Sequence, residues 1–218
     1  MIMYYPKMNQ YRQDFSRVMT VTGNARLLFE PDKVSIQLEI MTENKQVSQA
    51  QQENARKMNQ VIQSLLQLGI LRGNIQTTGY NINPIYDYID GKQQFKGYRV
   101  SNTITVQITS IDQAGEIIDV AVQNGVNQVS NIQFSIEDKQ IAYQQALSAA
   151  LKNAIAEAQI IAETLNVNFD PIPIKIVEET SETPPSFKTF ATMESNVTTP
   201  IEPGQIVVSA SVKTQFQY

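Results

Sequence analysis

The chain contains no cysteine, no histidine and no tryptophan. Each of the first two zeros closes off chemistry. Without cysteine there is no disulfide, no thiol nucleophile and no thiolate zinc site. Without histidine there is no Ser-His-Asp or Cys-His catalysis, no imidazole metal ligand and no histidine pH switch. Charge is also scarce: 17 Lys and Arg against 21 Asp and Glu leave 218 residues with a net charge of −4. That weak acidity, with no run of basic residues, argues against a phosphate-binding surface and so against a nucleic-acid partner. No apolar run approaches the ~20 residues of a membrane-spanning helix. The first 15 residues, MIMYYPKMNQYRQDF, place Pro6, Lys7, Arg12 and Asp14 where a signal peptide has its apolar core. The chain as given is therefore expected to be cytoplasmic. The side chains left for chemistry are carboxylates, Lys and Tyr, and no cofactor is expected.

What is abundant is amide: 25 Gln and 16 Asn. Amides lower surface charge without lowering polarity, and they desolvate more cheaply than charges. The composition is compatible with a large self-association area and equally with an ordinary solvated surface.

Apolar residues alternate with polar ones at Met19, Val21, Ala25, Leu27 and Phe29, and again at Val34, Ile36, Leu38 and Ile40. Period two predicts strands with one face on a core, and the short Glu30–Lys33 turn between them predicts a hairpin. From 45 to 68 the period changes. Val47, Ala50, Asn54, Met58, Val61, Ile62, Leu65 and Leu68 make one stripe of a helix that ends at Gly69 with an apolar clasp from Ile70. Strands follow over 75–89 and 95–109, joined around Asp90-Gly91, a favoured hairpin turn. Ser110 and Gln113 have capping-box spacing for a short helix that stops at Asn124-Gly125. A strand over 127–137 carries Ile132, Phe134 and Ile136 on one face. A long helix, roughly 139–166, can be capped by Asp138 and is rich in alanine, at Ala142, Ala146, Ala149, Ala150, Ala154, Ala158 and Ala162, which are read as a packing face. Two further strands are expected: one over 172–178 with Ile172, Ile174 and Ile176, and one over 205–217. The loop between them, 179–204, is longer than loops of compact domains usually are, yet carries Phe187, Phe190 and Met193.

These elements predict an α+β fold: two βαββ-like units with mostly antiparallel sheets covered on one face by helices. An N-terminal arm, 1–17, precedes one domain from 18 to 218, with subunits roughly at 18–110 and 111–218.

No catalytic constellation emerges. Glu39 and Glu43 are acids on one strand, but paired-carboxylate catalysis needs two acids converging in a cleft, and Glu39 falls on the polar, solvated face. Asp87, Asp90 and Gly91 read as turn chemistry rather than a calcium loop, which needs oxygens at alternating positions and several carboxylates. Gly23-Asn24-Ala25-Arg26 leads into no helix and is no phosphate cradle. Tyr80, Tyr86, Tyr88 and Tyr98 cluster on one hairpin. Tyr80 and Tyr98 fall in phase with the apolar faces and are expected in the core. Tyr86 and Tyr88 lie near the tip and, with Phe187, Phe190 and Met193, are the candidate interface residues, since Tyr combines an apolar body with a polar tip.

An ordered set of short motifs runs through the same elements. It comprises Val21-Thr22-Gly23, Pro31-Asp32 before Val34-Ser35-Ile36, Leu68-Gly69-Ile70, and Asn74-Ile75-Gln76-Thr77. Further on come Pro84-Ile85-Tyr86-Asp87-Tyr88, Gly97-Tyr98-Arg99-Val100-Ser101, Asn124-Gly125-Val126 and Pro203-Gly204. The set, from about residue 18 to the C-terminus, resembles the SIMPL-domain family. These are bacterial proteins that include periplasmic immunogenic antigens and proteins of oxidative-stress defence. The resemblance implies a self-assembling protein, with ring-like or channel-like homo-oligomers, and supplies no catalytic residues. Family members are often exported, a point on which this N-terminus departs. The reading is a non-enzymatic, self-associating protein linked to envelope or stress physiology. The alternatives are an enzyme using carboxylate, Tyr or Lys chemistry, and a small-ligand carrier.

Overall fold

The period-two runs form strands and the three-to-four-residue stripes form helices, as the patterning dictates. The computed structural model describes residues 17–179, 187–188 and 199–218. In order, the elements are β1 (Val18–Phe29), β2 (Lys33–Asn44), α1 (Val47–Gln67), β3 (Ile75–Ile89), β4 (Lys92–Ile108), α2 (Ala114–Gln123), β5 (Gln128–Ser135), α3 (Lys139–Leu165), β6 (Lys175–Glu179), β7 (Phe187–Lys188) and β8 (Gln205–Gln217). One sheet has the order β1-β8-β6, with β7 beside β8; the other has the order β3-β4-β2-β5. The fold is α+β.

The sheets are not divided as the chain order implied. β1 and β2 do not form the expected hairpin: β1 pairs with β8, while β2 lies between β4 and β5. A strand whose inner face is wholly apolar gains most from a partner on each side, and β2 has one at both edges. The expected boundary at 110/111 falls within one compact unit, because β5 completes the sheet begun by β2. That unit holds residues 28–139, 187–188 and 199–207; the other holds 17–27, 140–179 and 208–218.

In the larger unit, Val34, Ile36, Leu38 and Ile40 of β2 are fully buried with Ile104 and Val106 of β4, under Val61 and Leu65 of α1 and Ile117 of α2. Asn54 sits among these apolar groups for a structural reason. Its amide donates to the Ile40 carbonyl at 2.8 Å and the Val100 carbonyl at 3.2 Å, tying α1 to neighbouring strands. Thr42, also buried, donates to the Ala50 carbonyl at 2.7 Å. The 111–113 segment is a 3₁₀ turn, and Ser110 makes no side-chain cap, so the expected capping box is not formed. β5 departs from simple alternation as well. An extra residue at Asn131 (φ 50°) bulges the strand opposite Ile36. Val129 and Phe134 turn to the core and Ile132 is exposed, contrary to the expected single face.

In the smaller unit, every fourth residue of α3 from Ala142 to Ala162 is buried. Those from Ala146 to Ala162 pack with Val21 and Ala25 of β1 and Val212 and Phe216 of β8. The small side chains let helix and strand backbones nearly touch at Gly23, where a Cβ would lie 2.0 Å from the Ala150 carbonyl oxygen. Asn153 then donates to the Asn24 carbonyl at 2.8 Å. β6 is shorter than expected, with Ile172 and Ile174 preceding it and exposed.

All three helices end alike. Gly69, Gly125 and Asn166 adopt left-handed backbone, and the next residue donates back five positions: Ile70 to Leu65, Val126 to Ala121, Val167 to Ala162.

Three stability predictions follow from this packing. Gly23→Ala is expected to destabilise by about 3 kcal/mol or more, since overpacking here pits a methyl against main chain. Gly73→Ala, where a Cβ meets nothing within 4 Å, should stay within about 0.5 kcal/mol of the parent. Asn54→Ala should cost about 1–3 kcal/mol by removing two buried hydrogen bonds to strand carbonyls. Urea unfolding followed by circular dichroism checks all three.

Candidate interaction surface

The register of β4 decides where an apolar face is left open. β4 pairs with β2 only from Ile108↔Val34 to Tyr98↔Asn44. Beyond that point, among the described residues, β3 and β4 continue to Ile89↔Lys92 as a two-stranded ribbon. Asp90 (φ 51°) and Gly91 (φ 72°) close it in a tight turn that requires left-handed backbone at both positions. α1 packs on β2 and β4; β3 is the sheet edge. Ile82 stands opposite Val100 and Tyr80 opposite Asn102, so both point to the helix-bearing side, yet both are exposed. The expectation that Tyr80 is core is therefore corrected: its phase is right, but on the edge strand it is 46% exposed. Tyr98 is half-buried.

A bulge extends this face along the ribbon. Between Gly97↔Ile85 and Phe95↔Tyr86, β4 carries one extra residue, Lys96. The slip places Phe95 between Tyr86 and Tyr98, with edge-to-face ring contacts of 5.8 Å and 5.3 Å. Gly97 makes the slip feasible, since a Cβ there would meet the Asn44 carbonyl oxygen at 2.7 Å. Charges line the same ribbon in paired form. Arg99 holds Glu43 at 2.6–2.8 Å, and Lys96 lies between Glu43 (3.9 Å) and Asp87 (3.7 Å).

Of the candidate interface residues, Tyr86 and Tyr88 are exposed on this ribbon, Tyr88 at 75%. Phe187 pairs through its backbone with Ile206; Phe190 and Met193 lie outside the described residues. Pattern reading singles out neither Phe95 nor Ile82; at Phe95 the bulge breaks period two. The available signal was Gly97 inside a strand pattern. Glu43 is engaged by Arg99 rather than by Glu39, and Asp87 by Lys96. The buried polar side chains among the described residues, Thr42, Asn54 and Thr214, do not ionise. The described depressions are open and shallow; one over α1 is bordered by Arg56, Asn59, Gln63 and Asn124. Tyr143 donates to Glu178 at 2.6 Å, and that bond raises its hydroxyl above the ordinary tyrosine range.

Comparison with known proteins gives this architecture a family. The chain is 28% identical over 220 residues to the 26 kDa periplasmic immunogenic protein of Brucella melitensis, covering 96% of this chain and 87% of that protein. The Brucella abortus protein of that name matches to the same extent. The uncharacterized protein YggE of Escherichia coli is 26% identical over 154 residues, 71% of this chain and 63% of its own length. None of these names is that of an enzyme, and the cytoplasmic expectation gains no support from the Brucella proteins. The SIMPL family model, described as a protein of unknown function (DUF541), matches residues 19–216, and the chain belongs to that family.

Proposed function

We propose that this chain is a non-catalytic, self-associating protein of the bacterial envelope whose β3–β4 ribbon contacts a second copy of itself. The observation that carries this is the uncovered continuation of the core face: Tyr80, Ile82, Tyr86 and Phe95 point to the side the helices bury elsewhere, and remain in solvent. Interface centres favour aromatic residues and exclude unpaired charge. Here the rings are flanked by the amides Asn81, Asn83, Gln93 and Gln94, and the nearest charges, Asp87, Lys96, Arg99 and Glu43, already neutralise one another. The envelope setting is supported by the periplasmic Brucella relatives. A role in oxidative-stress physiology would be indirect, since a chain without cysteine has no thiol route to reducing an oxidant. The ring-like assembly implied by the family likeness calls for a head-to-tail contact that closes.

Sedimentation velocity at high micromolar concentration, across a range of salt, tests the reading. The parent chain is expected to run as an oligomer. Tyr86→Ser combined with Phe95→Ser should weaken association by at least about 30-fold, the loss of one central hot spot of about 2 kcal/mol. Far-UV circular dichroism should be retained, because both side chains are about half exposed. A monomeric parent, or a double variant of unchanged mass, would falsify the proposal.

A further inference from the structure

Among the described residues, the strands at the sheet edges are not equally guarded. β3 carries Pro84 and an extra residue at Thr78, and β5 is bulged at Asn131; such features discourage pairing with another chain. β6, the outer strand of the β1-β8-β6 sheet, has neither proline nor bulge. Among the described residues it pairs on one side only, with β8 from Lys175↔Gln215 to Glu179↔Ser211. Its apolar residues are in solvent, with Ile176 53% and Val177 43% exposed.

The order of residues along this edge is complementary to itself. β6 reads Lys175-Ile176-Val177-Glu178-Glu179. Turned end for end against an identical strand and centred on Val177, it sets Lys175 opposite Glu179 twice and Val177 opposite Val177. Lys175, Val177 and Glu179 alternate with Ile176 and Glu178, so they share one face, beside Gln215, Lys213 and Ser211 of β8. Directly opposite residues of an antiparallel pair bring their Cβ atoms to about 5 Å, where opposite charges stabilise and like charges repel. On the other face Ile176 stands opposite Glu178, whose carboxylate is occupied by the Tyr143 hydroxyl. A strand whose sequence answers itself this way meets the condition of a two-fold interface, in which residue i touches j and j touches i.

We propose that β6 is an edge-pairing site for β6 of a second copy, antiparallel, two-fold and centred on Val177, joining two sheets into one. This contact is separate from the ribbon and would add a two-fold axis to an assembly built through it.

The absence of cysteine makes the test direct. Val177→Cys introduces one thiol per chain, and the centred register brings two such thiols within disulfide range, Cα atoms about 4.4–6.8 Å apart. On mild oxidation of the purified full chain, V177C is expected to give a covalent dimer at least about tenfold faster than I172C, as effective concentration at a formed contact exceeds bulk concentration. Ile172 is more exposed but lies out of register. Adding Lys175→Glu or Glu179→Lys alone should slow V177C dimerisation, and the two together should restore it. Retention of these rates in the Tyr86→Ser, Phe95→Ser background separates this interface from the ribbon; their loss in that background would overturn the claim of a separate contact. Equal rates for V177C and I172C, or a double charge reversal no faster than the single ones, would overturn the edge pairing itself.

Discussion

The antiparallel register of β2 with β4, held from Val34↔Ile108 to Asn44↔Tyr98, is the constraint on which the larger unit depends. With period two, a slip of one residue would turn Val34, Ile36, Leu38 and Ile40 out to solvent. The register therefore fixes the core and, at the same time, the place where β2 runs out. Past Asn44, among the described residues, the hairpin has no third strand, and its rings stay exposed. The aromatic ribbon is thus a by-product of the same pairing that builds the core. Gly97 and the extra Lys96 shape its course around the end of β2.

The smaller unit solves its packing by another route. A helix of low amphipathic contrast, with alanine at every fourth position, gains little from each buried side chain and much from close approach. The Gly23–Ala150 contact is the extreme of that strategy. Its cost is coverage: a narrow small-residue seam shields β1 and β8 and leaves Ile176 at the β6 edge in solvent. Both proposed contacts thus arise from apolar strand residues left uncovered at a sheet edge.

Much of the local structure was legible. Helix ends at Gly69 and Gly125, the Asp90-Gly91 turn, the alanine stripe and the full extent of β8 all follow from short-range rules, because the residues that decide them lie within a few positions of one another. The illegible parts were non-local. Ser110 and Gln113 match a capping box yet form a 3₁₀ turn, and the bulges at Lys96 and Asn131 invert phase in mid-strand. On the ribbon, the pattern makes Tyr86 and Tyr88 candidate interface residues near the tip, places Tyr80 in the core and does not single out Phe95. In-phase patterning tells which side a residue points to, not whether anything lies there.

By itself the sequence determined the chemistry this protein cannot perform, since side chains that are absent exclude mechanisms whatever the fold. It also determined helix, strand and turn types, because hydrophobic period and backbone preference act over a few residues. Only the tertiary structure decided which strands became neighbours. It separated β1 from β2, set β5 against β2 and left β3 and β6 at open edges. Strand pairing joins residues far apart in the chain, and its outcome rests on competition among all the strands for partners, which no single segment encodes.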